Sequence, residues 1–198
     1  MKIRIVTFNG PMKCGKSWVC DRLPERFPNT RFERVSFQDA LARGTLALLG
    51  LSPAIYGTDA YAEFKETQYY GRTGREWMIF FSESAKVGNP TIDMADEHPN
   101  IWTDVMLDSI RRQHFTHRSG TVYLADSNGF GDELDYLRGR EDVDVLACSI
   151  EPPDSPVRGS TYPNDSRFNL AHKCAVVAED SNLLLDRVSA ALQRRNWV

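Results

Sequence analysis

The sequence predicts an α/β domain with a central parallel sheet and helices on both of its faces. Strand-like and helix-like segments alternate along most of the chain, and this alternation is typical of parallel strands connected by helices. A glycine-rich turn joins the first strand-like run to a helical one. The length of 198 residues, with 41% hydrophobic and 26% charged residues, favours a single globular domain over residues 1–198.

Periodicity and turn residues predict the individual elements. Runs of apolar and β-branched residues predict strands at 2–8, 34–37, 121–125, 143–150 and 175–178. Apolar residues at helical spacing predict helices at 16–23, before Pro24, and at 39–49, 100–112, 133–138 and 182–194. The segment 56–70 predicts irregular structure.

A further helix is predicted from a capping box, Thr-Gly-Arg-Glu, at 73–76. In this motif the threonine hydroxyl accepts from the glutamate N–H, and the glutamate carboxylate accepts from the threonine N–H. We therefore expect a helix to begin at Gly74 and to run through Trp77, Phe80 and Phe81. The helical spacing of these aromatic residues favours a position in the core over stacking on a nucleotide base.

The composition argues against several classes of protein. The apolar runs are far shorter than the roughly 20 residues that cross a bilayer, and the first residues lack the apolar region of a secretion signal. We therefore expect a cytoplasmic protein without a membrane partner. The four cysteines form no CxxC pair and have no histidine at metal-ligand spacing, which argues against zinc. A net charge of −3 gives no overall attraction to nucleic acid, although it is compatible with a local basic surface.

The segment from Gly10 to Ser17, Gly-Pro-Met-Lys-Cys-Gly-Lys-Ser, matches G-x-x-x-x-G-K-[ST] at every fixed position. This motif binds nucleoside triphosphates when it follows a strand and opens a helix. Its glycines allow backbone N–H groups to surround the phosphates, and the start of the helix adds the positive end of its dipole. The motif narrows the fold prediction to a three-layer P-loop NTPase fold. The expected ATP-binding residues are Gly10, Lys13, Cys14, Gly15, Lys16 and Ser17.

ATP and Mg²⁺ are the predicted cofactors. We expect Lys16 to bridge the β- and γ-phosphates and Ser17 to offer its hydroxyl to the metal. Asp126 is the first polar residue after the apolar strand 121–125, where a P-loop protein places the carboxylate that holds the water shell of Mg²⁺. An aspartate at this point can instead cap a turn or the next helix, and the two roles are compatible.

Phosphoryl transfer requires cations that hold the donor and acceptor phosphates in line. Arg72 and Arg75 flank the helix start predicted at Gly74, where guanidinium and helix N–H groups together can bind an acceptor phosphate. Arg158 and Arg167 lie in or beside the proline-rich segment 152–164, which is long enough to close over a site. Isolated arginines more often lie on a solvated surface, and this interpretation stays open for these residues.

On these motifs the chain resembles the bacteriophage deoxynucleoside monophosphate kinases, a branch of the nucleoside monophosphate kinases. The resemblance runs nearly end to end and is carried by Gly10 to Ser17, Ser36 to Leu41, Gly74 to Trp77, Ser82-Glu83, Trp102 and Ser181 to Leu183. It implies that residues 37–90 bind the acceptor, that Arg75 contacts the acceptor phosphate and that the loop at 152–172 is a lid. It also implies a nucleotide acceptor and, for a phage protein, the host cytoplasm, and a homodimer stays open.

One position departs from the family pattern. Members often carry an arginine two residues after the strand-end aspartate, and this chain has Asn128 there. Similar kinases of phages that hypermodify thymine phosphorylate 5-hydroxymethyluracil within DNA, and a changed acceptor site suits that alternative. Asp39 and Glu83 are candidates for a general base or for orienting an arginine. The expected acceptor-binding residues are Asp39, Arg72, Arg75, Glu83 and Asn128, and the expected catalytic residues are Lys16, Arg75, Asp126, Arg158 and Arg167.

Three functions are compatible with these residues. The first is an ATP- and Mg²⁺-dependent kinase that converts a deoxynucleoside monophosphate to the diphosphate. The second is a P-loop kinase of 5-hydroxymethyluracil in phage DNA. The third is a nucleotide-binding switch without phosphotransfer, for which the additional arginines and the lid-like loop would be unnecessary.

Overall fold

A computed structural model of the chain describes residues 2–11, 14–86, 100–116, 120–126, 131–151 and 173–198. The elements are β1 (Ile3–Asn9), α1 (Lys16–Arg26), β2 (Phe32–Val35), α2 (Asp39–Leu48), a 3₁₀ turn (Pro53–Ile55), α3 (Asp59–Glu66), β3 (Gln68–Tyr69), β4 (Arg72–Thr73), α4 (Gly74–Lys86), α5 (Ile101–Thr116), β5 (Val122–Ala125), α6 (Gly131–Arg138), β6 (Val143–Ile150), β7 (Val176–Ala178) and α7 (Ser181–Arg194). The chain divides into two compact units, which we call the sheet unit (Met1–Ser36 and Arg112–Val198) and the helical unit (Phe37–Arg111).

Five parallel strands form the sheet in the order β2-β5-β1-β6-β7. The central strand β1 pairs with β5 from Arg4↔Val122 to Thr7↔Ala125, and it pairs with β6 on its other side. Because β1 and β5 are parallel neighbours, the residues that follow them leave the sheet at the same edge. Ligands of open α/β sheets bind at this carboxyl edge.

Helices cover the sheet. The strands contribute Val6, Phe8, Leu124 and Cys148 to a cluster that also contains Val19 and Leu23 of α1 and Leu184 and Val188 of α7. Side chains alternate between the two faces of a strand, so the burial of Ile5, Tyr123 and Ala147 shows that the second face is covered as well. α6 packs against β6. The predicted α/β architecture with a central parallel sheet is confirmed.

Helix α1 is longer than predicted, because it continues through Pro24 to Arg26. A proline inside a helix removes one N–H donor and crowds the carbonyl four residues earlier. This loss is confined to the last turn, where the N–H of Phe27 still donates to the carbonyl of Leu23 at 3.1 Å. Leu23 is fully buried, and the burial of this helical face offsets the missing hydrogen bond.

The helical unit has a core of its own, formed by Ala42, Leu46, Phe64 and Met78. Helix α3 lies within the segment 56–70, so the prediction of irregular structure there is wrong. An isolated helix of this length is marginal in water. The ring of Phe64 is buried in this core with Ala42, Leu46 and Met78 of other helices, and it also contacts Tyr61 and Tyr69, with centroid distances of 5.8 and 5.5 Å. Tertiary packing therefore stabilises α3.

The capping box predicted before α4 is present. The N–H of Thr73 donates to Glu76 Oε2 at 2.7 Å, and the N–H of Glu76 donates to Thr73 Oγ1 at 3.2 Å. Helix α4 begins at Gly74, as predicted.

One aromatic residue of α4 differs from its prediction as core, whereas Trp77 and Phe81 are partly buried. Phe80 is 44% exposed, so that prediction is wrong for this ring. Gly74 and Met78, four residues apart, occupy the buried face of α4, and Phe80 lies off that face. Trp77, Phe80 and Phe81 contact one another with ring centroids 5.5 to 5.7 Å apart. We call these three rings the aromatic cluster.

In the part of the chain that the structure describes, no helix is both long enough and apolar enough to cross a membrane.

Candidate functional site

The segment from Gly10 to Ser17 connects the end of β1 to the first turn of α1, so the motif has the strand and helix that its function requires. Gly10 has φ 138° and Gly15 has φ 97°, values that residues with a side chain rarely adopt. A Cβ atom on Gly10 would lie 2.7 Å from the carbonyl oxygen of Ile150, and one on Gly15 would lie 2.8 Å from Ser181 Cβ. Backbone conformation and close packing therefore both require glycine at these two positions.

The start of α1 presents the positive end of its helix dipole. Its N-cap residue, Gly15, makes no side-chain cap hydrogen bond, and the first turn itself contains no acidic residue. Most helices satisfy or neutralise this end with a hydroxyl or a carboxylate. The arrangement suits an anionic ligand such as a phosphate.

Lys16 is held over the loop by hydrogen bonds. Its Nζ donates to the carbonyl oxygens of Gly10 and Pro11 at 2.8 and 2.7 Å, and it lies 3.7 Å from Cys14 Sγ. The backbone of the loop thus holds the Lys16 ammonium beside the residues that the motif predicts to bind phosphate.

Ser17 and Asp126 form a pair at the carboxyl edge of the sheet. Ser17 Oγ donates to Asp126 Oδ2 at 3.0 Å, because α1 follows β1 and Asp126 follows the neighbouring strand β5. The Asp126 side chain is 26% exposed, which leaves its carboxylate accessible. A hydroxyl and a carboxylate are oxygen ligands that suit Mg²⁺, so the chemistry of this pair fits the predicted metal.

Arg34 also contacts this pair, although it belongs to no motif that marks it as a site residue in the sequence. Its guanidinium NH2 donates to the carbonyl oxygen of Ser17 at 2.6 Å and to Asp21 Oδ1 at 2.8 Å. Its NH1 lies 3.6 Å from Asp126 Oδ2. In the sequence Arg34 is one basic residue in a short strand-like run, and only the pairing of β2 with β5 brings it to Asp126.

In the helical unit, two of the predicted acceptor residues lie near Tyr61. The pKa of Tyr61 is raised to about 12, chiefly by burial; Tyr56 and Asp39 also raise it, and Arg75 lowers it. Asp39 of α2 and Arg75 of α4 are therefore both within electrostatic reach of one phenol. The hydroxyl of Tyr61 donates to Met78 Sδ at 3.2 Å, which anchors this side chain on the core of the unit.

Both residues also have direct partners. Arg75 donates to Glu66 Oε1 at 2.8 Å, and Arg43 Nε donates to Asp39 Oδ1 at 3.0 Å. The side chains of Arg75 and Glu66 are 51% and 72% exposed, and solvated ion pairs of this kind contribute little free energy. A phosphate can therefore compete with Glu66 for the guanidinium of Arg75.

Two further predicted acceptor residues, Arg72 and Glu83, have other surroundings. The guanidinium of Arg72 lies over the rings of Trp77 and Phe80, 5.2 and 4.8 Å from their centroids. Glu83 is exposed and lies roughly 12 Å further along α4 than Arg75, at the rise of an α-helix. Lys13, Asn128, Arg158, Arg167 and the lid predicted at 152–172 fall outside the described residues, and their roles stay predictions.

Some solved structures are distantly similar to the chain. No protein-family model and no curated protein sequence matches the chain. A solved shikimate kinase from Aquifex aeolicus is 14% identical, with a TM-score of 0.46 over 97% of this chain and 98% of that one. The protein TT1252 from Thermus thermophilus is 17% identical, with a TM-score of 0.46 over 98% of both chains. The site itself is a glycine loop between a strand and a helix, with a serine–aspartate pair beside it.

Proposed function

We propose that this protein is an ATP- and Mg²⁺-dependent phosphotransferase that converts a deoxynucleoside monophosphate to the diphosphate. The observation that carries the proposal is the 3.0 Å contact between Ser17 Oγ and Asp126 Oδ2, next to a complete G-x-x-x-x-G-K-S loop between β1 and α1. A phosphate loop requires a hydroxyl and a carboxylate on its metal side. A chance match to the motif gives no reason for a carboxylate 109 positions away to lie beside its serine.

The residues of the sheet unit fit the donor nucleotide. Gly10 and Gly15 bring the backbone close to the phosphates, and the start of α1 supplies the positive end of a helix dipole. Lys16, held over the loop, supplies a positive charge to the β- and γ-phosphates. Ser17 and Asp126 would hold Mg²⁺, which would neutralise negative charge on the phosphate oxygens.

The proposed reaction transfers the γ-phosphoryl group. An oxygen of the acceptor phosphate forms a bond to the γ-phosphorus, and the bond from this phosphorus to the β–γ bridging oxygen breaks, which releases ADP. Such a reaction depends on positioning and on positive charge more than on covalent chemistry from the protein. Arg75 supplies this charge at the acceptor phosphate. The resemblance of Gly74 to Trp77 to the phage kinases supports a deoxynucleoside monophosphate as the acceptor.

A modified base in DNA is a second candidate acceptor, and the exposure of one ring of the aromatic cluster favours it. Phe80 is 44% exposed, and the guanidinium of Arg72 lies over Phe80 and Trp77. An exposed aromatic ring beside an arginine is typical of surfaces on which unpaired bases stack.

An acceptor screen distinguishes the two candidates. The full chain is incubated with Mg²⁺ and ATP labelled in the γ-phosphate, together with each common deoxynucleoside monophosphate or with DNA that contains 5-hydroxymethyluracil. We expect label in at least one deoxynucleoside diphosphate. Label in the modified DNA alone would select the second candidate, and no transfer to any acceptor despite tight ATP binding would overturn the kinase proposal in favour of a nucleotide-binding switch.

Two lysine variants test the donor site within the same screen. Lys16→Ala should reduce transfer on the order of 100- to 1000-fold, the loss typical of removing one group that stabilises transition-state charge, while the circular dichroism spectrum stays unchanged. Lys2→Ala removes an exposed lysine of the same unit and should retain wild-type activity. Wild-type activity of Lys16→Ala would overturn the assignment of the loop.

A further inference from the structure

Arg34 stands at a junction of three elements of the sheet unit. It belongs to β2, it donates to the carbonyl oxygen of Ser17 and to the carboxylate of Asp21 on α1, and it lies 3.6 Å from the carboxylate of Asp126 after β5. Two of these groups, Ser17 and Asp126, are the residues proposed for the metal side of the phosphate loop. One guanidinium thus contacts both.

The hydrogen bonds to Ser17 and Asp21 hold the guanidinium in place, and its remaining terminal nitrogen lies near Asp126. The bonds to Ser17 and Asp21 measure 2.6 and 2.8 Å, and they hold one edge of the planar group against α1. Its other terminal nitrogen then faces Asp126 Oδ2, the same oxygen that accepts from Ser17 Oγ. Arginine suits this role because its donors have a fixed planar arrangement, whereas lysine carries a single charged nitrogen.

The charge of Arg34 by itself has a limited effect on Asp126. The side chain of Arg34 is 45% exposed and that of Asp126 is 26% exposed, and solvent screens an ion pair of this kind. The orientation of the carboxylate depends on its contacts: Asp126 Oδ2 has Ser17 Oγ at 3.0 Å and the Arg34 guanidinium at 3.6 Å. Groups that orient a metal-binding carboxylate commonly change metal affinity when they are removed.

We propose that Arg34 is a positioning residue that orients Asp126 beside Ser17 and thereby raises the affinity of the phosphate loop for the metal-bound nucleotide. This inference rests on the proposed function, because it assigns Ser17 and Asp126 to the metal side. Arg34 acts through Asp126, and Asp21 and the carbonyl of Ser17 anchor it.

The test measures nucleotide binding with and without metal. The fluorescent analogue mant-ATP is titrated into the full chain in EDTA and again in Mg²⁺. The dissociation constant in EDTA divided by the dissociation constant in Mg²⁺ gives the contribution of the metal, and we call this value the ratio. Arg34→Gln should lower this ratio by about tenfold, with little change in the dissociation constant in EDTA. Arg34→Lys should also lower it, because the charge is retained but the planar set of donors is lost.

Asp21→Asn supplies a second variant that leaves Arg34 in place. It weakens an anchor of the guanidinium, because the amide oxygen still accepts but the negative charge is lost, and it should lower the ratio by a smaller factor than Arg34→Gln. In the Asp126→Asn background, Arg34→Gln should have no further effect, because the carboxylate on which Arg34 acts is gone. The matched control is the ion pair of Arg22 and Glu25, which lies on α1, as Asp21 does, with 2.5 Å between Arg22 NH1 and Glu25 Oε2. Arg22→Gln and Glu25→Gln should both keep the wild-type ratio.

The outcomes separate this inference from the proposed function. A wild-type protein that binds mant-ATP with a metal-dependent affinity, and an Arg34→Gln variant with the same ratio, would overturn the role of Arg34 alone. Full retention of the ratio in Arg34→Lys would overturn positioning in favour of a simple charge effect. A wild-type protein that binds no mant-ATP under either condition would overturn the proposed function and this inference with it. Thermal unfolding identifies any variant that has lost its fold. If Arg34→Gln is such a variant, the ratio measured for Asp21→Asn decides whether Arg34 has the proposed role, and a wild-type ratio for Asp21→Asn would then overturn it.

Discussion

The hydroxyl of Ser17 donates to the carboxylate of Asp126 across 3.0 Å, although the two residues lie 109 positions apart in the chain. The contact arises because β1 and β5 are neighbours in the sheet, so that the start of α1 and the residue after β5 both lie at the carboxyl edge. It gives the phosphate loop two oxygen ligands of the kind that Mg²⁺ prefers.

Replacement of Asp126 by asparagine should weaken metal-dependent nucleotide binding. The amide oxygen still accepts from Ser17, but the negative charge that favours a divalent cation is removed. Calorimetric titration should give a dissociation constant for ATP in Mg²⁺ that is about tenfold higher, with no increase in EDTA. Asp144→Asn removes a carboxylate of the same unit that is paired with Arg195, and it should behave as wild type. An unchanged response of Asp126→Asn to Mg²⁺ would contradict the metal role.

Replacement of Arg75 by alanine should affect the acceptor without affecting ATP. A charge-assisted hydrogen bond contributes about 1.5 to 3 kcal/mol, so the KM for the acceptor should rise roughly 10- to 100-fold, while the KM for ATP stays the same. Steady-state kinetics with each substrate varied in turn measures both constants. Arg111→Ala, which breaks an ion pair with Asp108 in the same unit, is the matched control. A rise in the KM for ATP alone would contradict the assignment of Arg75 to the acceptor.

Cys14 should be the most reactive thiol of the protein. Burial raises the pKa of Cys20 to about 12 and that of Cys174 to about 11, and it raises the pKa of Cys148 as well. At pH 8 these three groups are therefore protonated thiols, whereas the thiolate is the nucleophile. Cys14 lies partly exposed in the phosphate loop.

Labelling with a chromogenic disulfide reagent at pH 8 checks this expectation. The reaction should show one fast phase, which ATP with Mg²⁺ suppresses and Cys14→Ser removes. The variant Cys174→Ser should keep the fast phase. A fast phase that persists in Cys14→Ser, or that ATP leaves unchanged, would argue against this location of the nucleotide.

Two glycines of the helical unit should respond to alanine with opposite signs. A Cβ atom on Gly74 would lie 2.4 Å from the carbonyl oxygen of Phe64 and 2.6 Å from Phe64 Cζ, and such overpacking lowers the free energy of unfolding by about 1 to 3 kcal/mol. Gly44 lies inside α2 with no atom within 4 Å of an added Cβ. Gly44→Ala should therefore raise the free energy of unfolding by roughly 0.5 to 1 kcal/mol. Urea unfolding measures both values, and a common sign would contradict the packing around Gly74.

The capping box should make the stability of the helical unit depend on pH. The backbone N–H and then the hydroxyl of Thr73 lower the pKa of Glu76 from 4.5. A carboxyl whose pKa is lower in the folded state stabilises the fold above its unfolded value, and the contribution is lost as the pH falls through the folded value. Glu76→Ala should therefore be less stable than wild type at pH 7, and the difference should shrink as the pH falls below 4.5.

Hydrogen exchange of the α4 amides, measured over this pH range, gives the difference directly. Glu63→Ala removes another exposed glutamate of the same unit, and it tests whether the effect belongs to the capping box. A difference between wild type and Glu76→Ala that stays constant from neutral to acidic pH would contradict the role of the carboxylate.

The sequence by itself determined the features that depend on residues close together in the chain. The phosphate loop is set by the glycines, Lys16 and Ser17 within one short motif, and the start of α4 is set by Thr73 and Glu76, three positions apart. The alternation of apolar strands and amphipathic helices was also sufficient for the α/β class, because each element follows its own local periodicity.

Only the tertiary structure decided the features that depend on contacts between distant segments. Helix α3 forms because Phe64 is buried against neighbours that no local pattern predicts. Phe80 is exposed because Gly74 and Met78 take the buried face of α4, and helical spacing alone could not say which face is covered. Arg34 reaches Asp126 because the strand order makes β2 the neighbour of β5. The free energy in each case comes from burial or hydrogen bonding between elements, whose arrangement is a property of the whole fold.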